Sequence, residues 1–235
     1  MKTVQSKPEW EIEKSEFLRR LGCGEADFQK LLYLPDIRVV KRVVPLRHLK
    51  AVDSILPITR DMLFGLVSRI ATVSGEKPFL DSQLQLCKMD PNHLKIGQRF
   101  VYRENYQSLL EELPDLFGKF VVGTGLNDLG AYFVFGEDLD GLPALACYIP
   151  PLIEQHGPEL IIMDGIHRAF IVKQTGAAIN AIIIRNVSVP FPCGMHPWSD
   201  IRVIGLADKP KDINERYFEL KKELFRDLKY LGIDG

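Results

Sequence analysis

The chain has 235 residues, with 30 Lys and Arg against 31 Asp and Glu, a formal net charge of -1 and 46% hydrophobic residues. This is ordinary globular usage, enough for one domain with extensions or two small ones, and it excludes a disordered tract, a collagen-like repeat and a strongly basic nucleic-acid coat. The longest uncharged windows, Gly141 to Ile153 and Asn186 to Ser199, carry prolines and fall short of the ~20 apolar residues of a membrane-spanning helix, so no membrane partner is expected.

In chain order, residues 8–34 read as helical. Phe17, Leu18 and Leu21 make one apolar stripe, Gly22 and Gly24 interrupt it, and Phe28, Leu31 and Leu32 begin a second before Pro35. Residues 37–46 (IRVVKRVVPL) are valine-rich, as a strand should be. Residues 59–71 read as a helix with Thr59 as N-cap and Asp61 in its first turn. A less regular stretch, 75–100, leads to a short helix at 104–113 that Pro114 ends. Strands are expected at 119–122 (KFVV), 131–135 (AYFVF) and 144–149 (ALACYI), and a helical tail around 214–231. The opening MKTVQSKPEWEIEK has no apolar run to serve as a secretory leader. Cys23, Cys87, Cys147 and Cys193 have no CxxC or CxxH spacing, so reduced thiols in a cytoplasmic setting are expected and no metal site is assigned.

The clearest unit runs from Glu159 to Val187. An apolar strand (Glu159 to Met163) meets Asp164-Gly165-Ile166-His167-Arg168, then a helix that Gly176 stops, then a second strand (AAINAIIIRNV). The first N–H groups of a helix lack intrahelical partners and carry the positive end of its dipole. Gly165 permits a sharp turn and close approach of a ligand to the backbone. Arg168 adds a planar fork that matches phosphate oxygens, and His167 a donor whose charge changes near neutral pH. Together they suit a phosphate. Asp164 has several available roles: helix cap, orienter of His167 or Arg168, magnesium ligand, or base. The competing structural reading is plain, since Asp-Gly is a common turn and Asp a common N-cap.

The run ELIIMDGIHRAFIVKQTG-AAINAIII resembles the signature unit of the ParB/sulfiredoxin-like fold, and KRVVPLRHLKAV resembles its opening strand. The resemblance implies an α/β (α+β) protein with a helical N-terminal cap at 1–36, a ParB/sulfiredoxin-like core at 37–187 and a C-terminal helical extension at 188–235. It also implies that Gly165, Ile166, His167 and Arg168 bind nucleotide phosphate, that Arg47 borders the same site, and that Asp164 and His167 are the catalytic candidates. Sulfiredoxins place a cysteine where this chain has Ile166, so that activity is rejected. The partition proteins carry a downstream helix-turn-helix, for which residues 188–235 give no convincing signal. The pentapeptide matches four of five positions of the D-G-H-H-R free serine kinases and is also close to the D-G-Q-H-R proteins linked to DNA phosphorothioation. The expected function is therefore binding of ATP or another NTP, with magnesium, for phosphoryl transfer or hydrolysis. A DNA- or RNA-binding or nuclease member, and a non-catalytic nucleotide sensor, stay open, as do a small-molecule substrate and a homo-oligomer.

Three further motifs are set against plainer readings. Glu154 and His156 are expected in a surface loop, ~15 Å from Asp164 at ~3.3 Å per residue. PFPCGMHPW (190–198) contains Cys193 and His196 and is expected to be an ordered loop that packs Phe191 and Trp198. KIGQRFVYRENY (95–106) interleaves Lys95, Arg99 and Arg103 with Phe100, Tyr102 and Tyr106; it suits either a half-buried strand or a surface that stacks bases and holds phosphates.

Overall fold

The computed structural model describes residues 12–21, 24, 26, 40–107, 109–110, 130–228 and 231. Its strands, in chain order, are β1 (Ile12–Glu13), β2 (Arg42–Val43), β3 (Leu49–Pro57), β4 (Ala71–Thr72), β5 (Gln83–Met89), β6 (Lys95–Ile96), β7 (Phe100–Tyr102), β8 (Tyr132–Asp138), β9 (Pro143–Tyr148), β10 (Leu152–His156), β11 (Glu159–Asp164), β12 (Ile179–Arg185), β13 (Arg202–Ile204) and β14 (Arg226–Asp227). With the helices between them they make an α+β fold. Two units interleave in sequence: 1–66, 131–149 and 228–234 form the first, and 67–130, 150–227 and 235 the second. The span 37–187 is thus distributed over both.

The first unit is built on a five-stranded sheet in the order β1-β2-β9-β8-β3. Strand β2 runs parallel to β9, and the remaining pairs are antiparallel. The β8–β9 hairpin is tied by Asp138. Its Oδ1 accepts the N–H groups of Asp140 and Leu142, both at 2.9 Å, and its Oδ2 accepts from Arg42 at 3.0 Å. Gly136 is needed because β3 crosses so closely that a Cβ there would overlap the carbonyl oxygen of Ala51. Strand β3 has no sequence signal, since its nine residues are mostly exposed and do not alternate. The helix expected at 59–71 spans Arg60–Ser68, and Thr59 Oγ1 accepts the N–H of Met62 at 3.3 Å, as an N-cap does. Within the expected cap, Lys14–Leu21 is helical and buries Phe17 and Leu18. The expectations for 27–39, for KFVV at 119–122 and for Cys23 lie outside the described residues.

The second unit is built on a sheet in the order β5-β12-β10-β11-β6. Strand β11 pairs antiparallel with β10, and the chain returns through the helix Ile166–Thr175 to β12, parallel to β10 on its other side. Leu94, Ile96, Ile153, Ile162, Ile166 and Ile183 belong to one core cluster here. Strand β5, inside the stretch read as irregular, pairs along its whole length with β12.

Two expectations for this unit are corrected. Glu154 and His156 belong to strand β10, not to a surface loop, and Glu154 is fully buried. Burial of that carboxylate is offset by Arg226, whose Nε and Nη2 donate to its two oxygens at 2.9 and 2.8 Å, while His156 Nε2 lies 2.7 Å from Oε2. Among the described residues, the tail has no long helix at 214–231. It holds a short helix Ile213–Arg216, a 3-10 turn Lys222–Leu224 and β14. Its backbone bonds go outward instead: Phe218 N–H to Gly97 O, Lys221 N–H to Pro192 O and Val73 N–H to Phe225 O. Tertiary pairing overrides the helical periodicity.

Replacing Glu154 by Gln leaves a buried guanidinium without its charge partner, and a loss of about 3–5 kcal/mol in urea unfolding is expected. A double replacement, Glu154→Leu with Arg226→Leu, should recover much of that loss. Equal stability of Glu154→Gln and wild type would show that the pair does not hold the tail.

Candidate functional site at the strand-to-helix turn

Strand β11 ends at Asp164, and Gly165 follows in the left-handed region with φ 85° and ψ 25°. The helix begins at Ile166 without a side-chain cap and ends at Gly176, also left-handed, whose N–H bonds back to Lys173 and Val172. Strand, turn, helix, glycine stop and strand therefore occur in the expected order. Gly165 is fixed by more than its dihedral angles: a Cβ there would lie 2.8 Å from the ring of Pro151 and 3.0 Å from Nη2 of Arg168.

The five side chains divide by environment. Ile166 is 4% exposed and belongs to the core cluster, so it can offer a ligand only its peptide N–H. His167 is 6% exposed and faces inward. Its Nε2 accepts the N–H of Tyr102 at 3.1 Å, and the two rings stack with centroids 5.8 Å apart at 30°. An accepting Nε2 carries a lone pair rather than a proton, so in this arrangement the imidazole is not a cationic donor aimed at solvent. Asp164 is buried, and its Oδ2 accepts from Arg168 Nη2 at 3.2 Å. The Arg168 side chain keeps 18% exposure, whereas the Asp164 side chain has none. Of the side chains at the turn, Arg168 alone therefore combines charge with access. Its guanidinium is folded back over Gly165, at the positive end of the helix dipole.

Arg47 lies in the 3-10 turn Leu46–His48, which belongs to the first unit, while the pentapeptide belongs to the second. Tyr102 is the partner that sequence reasoning missed. Its only signal was its place in the basic and aromatic run at 95–106. Lys209 Nζ stands over its ring at 5.1 Å. Burial pushes the Tyr102 hydroxyl up, and the charge of Arg216 opposes that shift.

The loop 190–198 packs as expected. Trp198 is buried and donates from Nε1 to Pro91 O at 2.8 Å, and Phe191 meets His156 edge-on at 5.8 Å. Burial pushes the Cys193 thiol up to about 12, with the charge of Arg226 lowering it and that of Glu154 raising it. Among the described residues, no group of three or more His, Cys, Asp or Glu side chains is arranged to hold a metal ion.

Two outcomes follow from this packing. His167→Ala strands the buried N–H of Tyr102, and thermal or urea unfolding should register a loss of about 1–3 kcal/mol; an unchanged midpoint would remove the imidazole from the framework. Cys193 is half-buried and its surroundings push the thiol pKa up, so it should react with iodoacetamide more slowly in the folded chain than after urea is added. Equal labelling rates with and without urea, read by peptide mass, would contradict the raised thiol pKa. Comparison with protein families, with curated proteins and with solved structures gives no match to this chain.

Proposed function

We propose that the turn Asp164–Arg168 binds the phosphate of a nucleotide, and that the chain is a nucleotide-dependent enzyme of the ParB/sulfiredoxin-like kind that transfers or hydrolyses a phosphoryl group. One observation carries the reading. A ten-residue helix starts without a side-chain cap at a left-handed glycine, and a partly exposed guanidinium lies over that start. Helix N–H groups, dipole and guanidinium then act on the same oxyanion.

The other residues take supporting parts. Asp164 orients Arg168 through the contact to Oδ2. His167 is a positioning residue: it holds β7 against the helix through Tyr102. Gly165 and Ile166 contribute backbone. Phosphoryl transfer asks a protein mainly for positioning and charge neutralisation, which such a turn supplies in part. Magnesium belongs to the reading as the ion that a triphosphate brings with it. A buried carboxylate already facing a guanidinium does not fit as its ligand, so no step is drawn through the ion.

Arg168→Ala should weaken nucleotide binding by roughly tenfold or more, the worth of a charge-assisted hydrogen bond, and should also lower the unliganded melting temperature, because it leaves the buried Asp164 carboxylate without its charge partner. Thermal shift with ATP, CTP, GTP and ADP in the presence of magnesium reads both quantities. Absence of any nucleotide-dependent shift in the wild-type chain, or equal affinity in Arg168→Ala, would refute the assignment.

A further inference from the structure

The run 95–106 and the tail bring three arginines onto adjoining backbones of the second unit. Arg202, at the start of β13, donates its N–H to Arg99 O at 2.9 Å, and Arg99 donates its N–H to Arg216 O at 2.9 Å. A bridge between Gln98 and Tyr217 fixes the second junction, and the parallel pairing of β13 with β7 fixes the first.

The guanidiniums of Arg99 and Arg216 are held without carboxylates, and the Arg202 side chain is exposed. Arg99 lies over the ring of Phe218, 4.6 Å from its centroid, and donates from Nε to Tyr217 O at 2.9 Å. Phe218 is buried and stacked on His196, with centroids 3.7 Å apart. Arg216 donates to Pro210 O at 2.7 Å and to Lys211 O at 3.0 Å. Arg19, Arg42, Arg168 and Arg226, by contrast, all sit on a carboxylate. Among the described residues, Arg99, Arg202 and Arg216 have no such ion pair. Arg99 and Arg202 line one cleft of ≈ 340 Å³ with Ser199, Asp200 and Phe218. Asp200 lines the same cleft, but its carboxylate contacts His196 Nδ1 at 2.7 Å and Ser199 Oγ at 3.1 Å and forms no ion pair with either arginine, so two guanidiniums face one carboxylate there.

We propose that this cleft is a second anion site, distinct from the helix turn, and that its ligand is a phosphate group. Two arginines line the cleft, Arg99 and Arg202, and a phosphate with several oxygens can accept from both where a carboxylate is matched by one guanidinium fork. Arg99 is pre-organised by stacking and by a carbonyl, so little side-chain freedom is lost when an oxyanion arrives. The same chemistry is offered by the phosphodiester backbone of a single-stranded nucleic acid and by a free nucleotide. The site does not depend on what the turn Asp164–Arg168 binds.

The test uses the full chain and a fluorescein-labelled single-stranded oligothymidylate, read by anisotropy at low and physiological salt, with AMP as competitor. Arg202→Glu and Arg99→Gln should each weaken binding roughly tenfold or more. Each should also flatten the salt dependence, and Arg202→Glu, at an exposed side chain, should do so with melting temperature unchanged. Lys88→Glu, an exposed charge change on β5 of the same unit, should leave affinity near wild type. Displacement by AMP identifies a nucleotide-sized ligand, and resistance to AMP identifies the strand backbone; either result supports the site. Absence of binding to both probes, wild-type affinity in Arg202→Glu, or an equal loss in Lys88→Glu would overturn it. The Arg168→Ala chain serves as the separate arm: retention of oligonucleotide binding there keeps the two sites distinct.

Discussion

The chemistry open to the turn depends on one buried hydrogen bond of the second unit, from the peptide N–H of Tyr102 to Nε2 of His167. A buried peptide donor left without a partner is costly, so this contact fixes the short strand β7 against the start of the helix Ile166–Thr175. It also decides what the imidazole can do. A ring stacked on Tyr102 and accepting a backbone proton is part of the framework, and the accessible chemistry of the turn passes to the neighbouring residue, Arg168.

Arg168 is in turn held by its surroundings. Gly165 turns in a conformation that L residues rarely adopt, and the ring of Pro151 closes the space a side chain would need. Buried Asp164 sets the guanidinium from the other side. A charged group oriented this way by rigid neighbours needs little reorganisation to meet an oxyanion, which is why the turn is the proposed phosphate site. The cleft of Arg99 and Arg202 follows the same logic with other materials, an aromatic face and a carbonyl instead of a carboxylate.

What the sequence made legible was local. The unit from Glu159 to Arg185 announced itself because an apolar strand, a glycine turn, a glycine-stopped helix and an isoleucine-rich strand are contiguous. The Thr59 cap was readable for the same reason. The burial of His167 was not, because its partner is 65 residues away and is a peptide N–H that no side-chain pattern reveals. Glu154 misled in a similar way: a glutamate between two apolar stretches reads as solvent-facing until Arg226, 72 residues later, is placed on it. The tail misled by its periodicity, since Leu224, Phe225 and Leu228 fall at helical spacing while Phe225 O accepts from Val73 and β14 pairs with β4.

The most direct measurement is the backbone amide spectrum of the isotope-labelled chain during titration with a magnesium nucleotide. If the turn holds phosphate, the amide resonances of Gly165, Ile166, His167 and Arg168 shift together and saturate with one binding constant. The amides of β3, in the first unit, serve as the reference and stay in place. Resonances at 165–168 that do not move at saturating nucleotide would contradict the proposed site.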